Sequence, residues 1–126
     1  MFDLSPVLDW FFGKTPTLDD VIVFIETEFA KIREEGAQHR NCDVRNAKFR
    51  ELVLARIIYK IPHKIPVKYL PDVADLMWKR IKSLFPGFYN IAVAVWNQFV
   101  RTAHSSGCTS LEYKDFKETP MERFFS

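Results

Sequence analysis

Two pairs of histidine and cysteine residues have the spacing that metal sites use. His39 precedes Cys42 by three positions, and His104 precedes Cys108 by four. Imidazole and thiolate groups suit tetrahedral zinc, and the two pairs together would supply its four ligands. They would form one site only if the fold brings two distant helix ends together, and two unrelated pairs in loops are the ordinary alternative. We therefore expect no required metal and no other cofactor, and we keep this zinc site as an alternative.

The two cysteines also bear on the compartment. Cys42 and Cys108 are too far apart in sequence to suggest a disulfide framework, so we expect reduced thiols and a cytoplasmic protein. The first residues, MFDLSPVLDWFF, have no basic segment and do not predict a signal peptide. The uncharged run 83–100 allows only about 20 Å of helix after its proline and glycine, against about 30 Å for a bilayer core. It predicts a buried helix, and we expect no membrane partner.

Sequence motifs of enzymatic catalysis are absent. The chain has 4 glycines and no glycine-rich phosphate loop. It contains neither an H-E-x-x-H zinc motif nor a nucleophile elbow, and no pair of carboxylates has an evident acid–base context. We therefore predict that the protein is not an enzyme and has no catalytic residues.

A lysine-rich stretch, YKIPHKIPVKYLP at residues 59–71, raises a question of binding. Lys60, Lys64 and Lys68 recur at every fourth position among prolines. In an extended chain, lysines on one face would stand roughly 13 Å apart, a spacing that could meet phosphates or an acidic partner. The alternative is that these lysines simply keep an exposed segment soluble.

The prolines of this stretch also predict its conformation. Proline cannot continue a helix and biases the preceding residue toward extended backbone. We predict an extended strap over about 61–71, with Ile65 and Tyr69 packed on the protein. Ten extended residues reach about 33 Å, enough to return the chain to the end from which it came. The helices on either side of the strap could then be parallel.

Charge is distributed unevenly along the chain. The formal net charge is +2, but residues 1–44 have a net charge of −5, residues 45–82 of +7 and residues 83–126 of zero. The basic middle could form one face for nucleic acid or for an acidic protein. It could equally pair with the acidic front or complement helix dipoles. The candidate contact residues are Arg45, Arg56, Lys60, Lys64, Lys68, Lys79, Arg80 and Lys82.

Apolar periodicity predicts an all-α, single-domain bundle of about six helices over residues 1–126. Steps of three and four between apolar residues, with capping residues at the ends, place the helices. A Thr17-Leu18-Asp19-Asp20 capping box opens the second helix, and Thr109-Ser110-Leu111-Glu112 resembles another before a last short helix. The expected ranges are about 6–12, 18–35, 44–60, 72–85, 88–105 and 109–118.

Taken together, these observations favour binding without catalysis. We expect a small protein-binding module that acts as a regulator, an inhibitor or an assembly component, of the kind that phages and mobile elements carry as accessory proteins. Nucleic-acid binding through region 45–82 is the alternative. The aromatic clusters Trp10-Phe11-Phe12 and Phe124-Phe125 either pin the termini to the core or offer an apolar docking patch.

Overall fold

The computed structural model describes residues 15–117, and this part of the chain is all-helical, as predicted. It contains four helices of 15 to 19 residues and no strand among the described residues, so the predicted count of six is not confirmed. We number them α1 (Leu18–Gly36), α2 (Cys42–Arg56), α3 (Leu70–Leu84) and α4 (Tyr89–Ser105). The predicted helix at 6–12 and both terminal aromatic clusters lie outside the described residues.

Helix α1 begins where its capping residues predict. The backbone N–H of Asp20 donates to Thr17 Oγ1 at 3.2 Å, and the backbone N–H of Thr17 donates to Asp20 Oδ2 at 2.9 Å. This reciprocal pair satisfies two donors that a helix start otherwise leaves without partners. One apolar stripe of the helix is then buried in the core, from Val21 through Ile25 and Phe29 to Ile32.

The helices form two antiparallel hairpins. In the first, Gly36 at the end of α1 lies against Phe49 of α2, while Arg56 at the end of α2 reaches back to Glu28. In the second, Trp78 of α3 stacks edge-on against Trp96 of α4, with ring centroids 5.7 Å apart. The hairpins contact each other through α1 with α3 and through α2 with α4.

The contact between the hairpins fixes the direction of each helix. Phe85, which follows α3, stacks edge-on against Phe49 in the middle of α2, with centroids 6.1 Å apart, and Arg33 in the last turn of α1 donates to Ser83 in the last turn of α3. Helices α1 and α3 therefore end where α2 and α4 begin, and we call this the two-loop end, because the links 37–41 and 85–88 lie there. The link 57–69 lies at the opposite end, which we call the link end.

The predicted extended strap at 61–71 is not observed. Ile58–Lys60 and Val67–Tyr69 are 3₁₀ turns, Ile61–Lys64 is one turn of α-helix, and α3 has already begun at Leu70. The backbone is extended at Ile65 (φ −113°, ψ 121°) and Pro66.

The reason for this difference is the place of each proline in its helical turn. Pro62 and Pro71 each stand within the first two residues of a helix, where a missing N–H breaks no helical hydrogen bond. The link therefore stays at one end of the bundle. Helices α2 and α3 run antiparallel, and the parallel arrangement that an extended strap would have allowed does not occur.

The predicted last helix at 109–118 is also wrong within the described residues, since 108–117 contains no helix. Side chains of α4 form hydrogen bonds with backbone groups that would otherwise pair within a helix. His104 Nε2 lies 2.7 Å from Leu111 O, Asn97 Nδ2 donates to Lys114 O at 3.0 Å, and the Lys117 N–H donates to Asn90 Oδ1 at 2.9 Å.

Candidate functional site

The two-loop end carries a groove built around an exposed aromatic ring. Phe88, in the link between α3 and α4, is 36% exposed. It lies between a cavity of about 750 Å³, which Tyr89 and Ile91 also line, and a cavity of about 360 Å³, which Phe49 also lines. Both volumes are of the size that ligand sites occupy. A third cavity of about 120 Å³ shares Asn46 with the second. We call these three cavities together the end groove.

The end groove is cationic at its rim. Among the described residues that line it, there are five cations and one carboxylate, Asp43. No carboxylate within residues 15–117 forms an ion pair with any of the five. The groove therefore presents positive charge around an apolar floor, which complements an acidic surface with an apolar anchor. The five cations are Arg33, Arg45, Arg50, Lys82 and Lys117.

Arg33 is held in place by a short relay of hydrogen bonds. Its Nη2 donates to Ser83 Oγ at 2.7 Å, and Ser83 Oγ donates to the backbone oxygen of Arg80 at 2.7 Å. The relay joins the end of α1 to the end of α3. A guanidinium that is already oriented loses less side-chain entropy when it binds an anion.

Asn46 is the buried polar side chain of the groove. It is 5% exposed and lines both the 360 Å³ and the 120 Å³ cavities. Within the described residues, its hydrogen-bonding contact is a long one, 3.8 Å from Nδ2 to Cys42 Sγ. Its Oδ1 has no donor there. Buried amides are normally satisfied, so this residue needs a separate explanation.

The eight residues predicted to contact a partner do not form one surface. Arg45 and Lys82 line the end groove. Lys79 is exposed on α3. The three lysines Lys60, Lys64 and Lys68 lie in the link at the other end of the bundle.

Arg56 and Arg80, the remaining two candidates, are engaged by carboxylates of α1. Arg56 Nη1 donates to Glu35 Oε2 at 3.0 Å, and Arg80 makes two hydrogen bonds to Glu26, with Nη2 to Oε2 at 2.8 Å. The hydrogen bonds from Arg80 hold the pKa of Glu26 below its ordinary value. The acidic front thus neutralises part of the basic middle, an alternative that the charge distribution had left open.

The structure does not bring together the four residues of the alternative zinc site. Both cysteines are free thiols, and no group of three or more candidate ligands within 15–117 is close enough to hold a metal ion. His39 and Cys42 lie at the two-loop end, where α2 begins. His104 and Cys108 lie at the link end, where α4 ends. The ring of His104 donates Nε2–H to Leu111 O, since a carbonyl oxygen can only accept.

A second surface feature is the aromatic face that the C-terminal segment 108–117 covers. Lys114 Nζ lies 4.6 Å from the ring centroid of Trp78 and 5.1 Å from that of Trp96, and Lys117 Nζ lies 4.7 Å from that of Tyr89. Cations over aromatic faces stabilise such contacts. Lys117 also lines the larger cavity, so the described part of this segment reaches the end groove.

Sequence patterns did not single out several residues of the groove, among them Arg33, Asn46 and Phe88. Asn46 could have been found, since it precedes Phe49 and Val53 by three and seven positions on the buried face of α2. Phe88 follows Pro86-Gly87, a turn signal, and an aromatic residue in a turn is a candidate for exposure. Arg33 carries no local signal, because its role depends on Ser83, which is distant in sequence.

No helix within residues 15–117 combines the length and the apolar character that crossing a membrane requires. Comparisons with protein families, with curated proteins and with solved structures found no match for the chain.

Proposed function

We propose that the protein is a non-catalytic module that binds an acidic protein partner at the end groove and thereby regulates, inhibits or helps assemble it. The observation that supports this proposal is the exposed ring of Phe88 between two cavities whose rim carries five cations and one carboxylate. Aromatic residues and arginine are the types that contribute most to protein interfaces. A cytoplasmic protein with free thiols is part of the same proposal.

The arrangement favours a protein partner over nucleic acid. Binding along a nucleic-acid backbone gains affinity from each phosphate that a cation neutralises, so a continuous basic face is the efficient design. Here two of the eight predicted basic residues are paired with glutamates, and three lie at the opposite end from Arg45 and Lys82. Arg45 and Lys82, with Arg33, Arg50 and Lys117, surround an apolar groove with an exposed ring, which suits an apolar anchor flanked by acidic side chains.

The test is affinity capture with matched variants, from cells that carry the gene. Phe88→Ala removes the aromatic anchor, and Arg45→Glu reverses one rim charge. Tyr59→Ala is the control, because Tyr59 is also an exposed aromatic residue, at 51%, but lies at the link end. We expect the wild type and Tyr59→Ala to capture the same protein. The amount captured by each groove variant should be lower by about tenfold or more.

Salt and nuclease treatment separate the two partner classes. Loss of the captured protein with rising salt, faster for the wild type than for Arg45→Glu, fits an acidic partner. Capture that depends on nucleic acid and disappears with nuclease would replace the proposal with its alternative. Equal capture by the wild type and Phe88→Ala would show that the partner binds elsewhere.

A further inference from the structure

The unsatisfied amide of Asn46 suggests what the end groove recognises. A primary amide offers two N–H donors and an acceptor oxygen. In Asn46, the 3.8 Å contact with Cys42 Sγ is the hydrogen-bonding contact within residues 15–117, although the side chain is almost fully buried. Burial of an amide with an unpaired oxygen is costly, and a bound ligand that donates to this oxygen would offset the cost.

The protein itself shows what such an amide can hold. Asn97 of α4 donates from Nδ2 to Lys114 O at 3.0 Å and accepts the Lys114 N–H on Oδ1 at 2.8 Å. One side-chain amide therefore pairs with both backbone groups of one residue in a non-helical segment. Asn46 presents the same donor and acceptor, without such a segment among the described residues.

The surroundings of Asn46 add charge and an apolar floor. Arg33 and Arg45 line the 360 Å³ cavity with it, and Arg50 lines the adjoining 120 Å³ cavity. Guanidinium groups bind carboxylates with two parallel hydrogen bonds. Phe49 and Phe88 contribute apolar surface to the same cavity. A ligand that satisfies all of these groups has a peptide backbone, carboxylates and an apolar side chain.

We infer that the end groove binds an extended acidic peptide segment, with Asn46 pairing with its backbone and Arg33 and Arg45 binding its carboxylates. This inference rests on the proposed function and specifies its partner: a segment in extended conformation, with acidic and apolar side chains in alternation. Extended backbone is required because its N–H and C=O groups are free for Asn46, whereas a helix uses them internally.

The experiment titrates ¹⁵N-labelled protein with three capped peptides and follows the side-chain amide signal of Asn46. The first peptide is Glu-Val-Glu-Val-Glu-Val. The second has the same sequence with N-methylated backbone amides, and the third replaces each glutamate by glutamine. The inference predicts saturable shifts of the Asn46 amide with the first peptide and about tenfold weaker binding of each of the other two.

Variants test the same roles from the side of the protein. Arg45→Gln should weaken binding of the first peptide about tenfold. The ratio of its affinity to that of the N-methylated peptide should stay unchanged. Asn46→Leu, which keeps the shape of the side chain, should abolish that ratio. It should also raise the melting temperature by about 4 °C or more, because it removes a buried amide whose hydrogen bond within residues 15–117 is the long contact with Cys42 Sγ.

Each outcome is decisive. Equal binding of the normal and N-methylated peptides would overturn the role of Asn46, and a lowered melting temperature in Asn46→Leu would show that its amide is structural. A thymidine octanucleotide that shifts the same signals more strongly than the acidic peptide would overturn the choice of ligand. Partner capture that is lost in Phe88→Ala but kept in Asn46→Leu would leave the proposed function standing and reject this inference alone.

Discussion

At the scale of single residues, two glutamates of α1 form ion pairs with arginines of the basic middle. Glu26 and Glu35 form ion pairs with Arg80 and Arg56, so two arginines of the basic middle already have carboxylate partners. Such pairs are partly exposed and contribute little stability each. Five of the cations that form no ion pair with a carboxylate among residues 15–117 line the end groove, whereas Lys60 and Lys68 lie at the link end.

The pair between Glu26 and Arg80 predicts a pH dependence. Because hydrogen bonds from Arg80 lower the pKa of Glu26 below its ordinary 4.5, the folded state binds this proton less readily than the unfolded chain. The stabilisation is therefore present above the ordinary pKa and is lost as pH falls through the lower folded value. We expect it to be at most about 1 kcal/mol, since both side chains are 39% exposed.

Urea unfolding from about pH 6 down to about pH 3 measures this contribution. The wild type should be more stable than Glu26→Gln at the upper end, and the two should converge at the lower end. Arg80→Gln removes the same interaction from the other side and should show the same shallower slope. Parallel curves for the wild type and Glu26→Gln would contradict the assignment.

At residue resolution, the sequence could predict those features that depend on near neighbours. The Thr17 capping box is confirmed atom by atom, because its partners are three residues apart. The orientation of Arg33 could not be predicted, since its partner Ser83 is fifty residues away. For the same reason, the sequence could predict that acidic residues of the front pair with basic residues of the middle. It could not predict that Arg80 pairs with Glu26.

At the scale of elements, the C-terminal segment 108–117 has a register that matches α4. His104, Asn97 and Asn90 are seven residues apart, and they contact the backbones of Leu111, Lys114 and Lys117, which are three residues apart. Seven helical residues rise about 10.5 Å and three extended residues span about 10 Å. The two repeats therefore stay in register over four turns of helix, which fixes an extended conformation for the segment.

This register predicts how the segment can be released. Asn97→Ala removes both hydrogen bonds to Lys114 in the middle of the segment, whereas Asn90→Ala removes one at its end. We expect Asn97→Ala to speed tryptic cleavage after Lys114 and Lys117 about tenfold, and Asn90→Ala to speed cleavage after Lys117 alone. The reason is that cleavage by trypsin needs backbone that is not held in place.

Hydrogen exchange at the Lys114 amide provides an independent measurement. The amide should exchange faster in Asn97→Ala and keep its wild-type rate in Asn90→Ala. If neither variant changes cleavage or exchange, the aromatic contacts of Lys114 and Lys117 hold the segment without help from the asparagines. If Asn97→Ala unfolds the whole chain, the segment belongs to the cooperative core.

The same segment shows why the helix predicted at 109–118 is absent from its described part. Thr109, Leu111 and Glu112 have the types and spacing of a helix start, and local propensity favours a helix there. The competing partners, Trp96 and Asn97, lie on another helix, and Trp96 Nε1 donates to Glu112 O at 2.9 Å. Tertiary hydrogen bonds thus override a local signal. The four long helices were predictable to within a few residues because packing and propensity agree along each of them.

At the scale of the whole molecule, the link 57–69 decides the topology. Had it been extended, α2 and α3 would have run parallel, and His39 with Cys42 would have met His104 with Cys108. Because it folds into helical turns at one end, the two hairpins pack with α2 and α3 antiparallel, and the histidine–cysteine pairs stand at opposite ends. The separation of the two histidine–cysteine pairs therefore follows from the folded conformation of the link.

The link 57–69 is anchored to the core by buried isoleucine side chains. Ile65, in its extended part, is 5% exposed and belongs to the main core cluster, together with Ile58, Ile61 and Leu70 from the same link and its junction with α3. Truncation of a buried isoleucine loses transfer free energy and leaves a cavity. We expect Ile65→Ala to lower the free energy of unfolding by about 2–4 kcal/mol.

Urea unfolding tests this prediction against an exposed neighbour in the same link. Lys60→Glu should change the free energy of unfolding by no more than about 0.5 kcal/mol, because Lys60 is exposed. Ile65→Ala should lower the transition midpoint while the slope with denaturant stays as in the wild type, since the two hairpins are expected to unfold together. A smaller slope would mean that they separate before they unfold. An unchanged midpoint would mean that the link is a passive connection and that the helices alone determine how the hairpins pack.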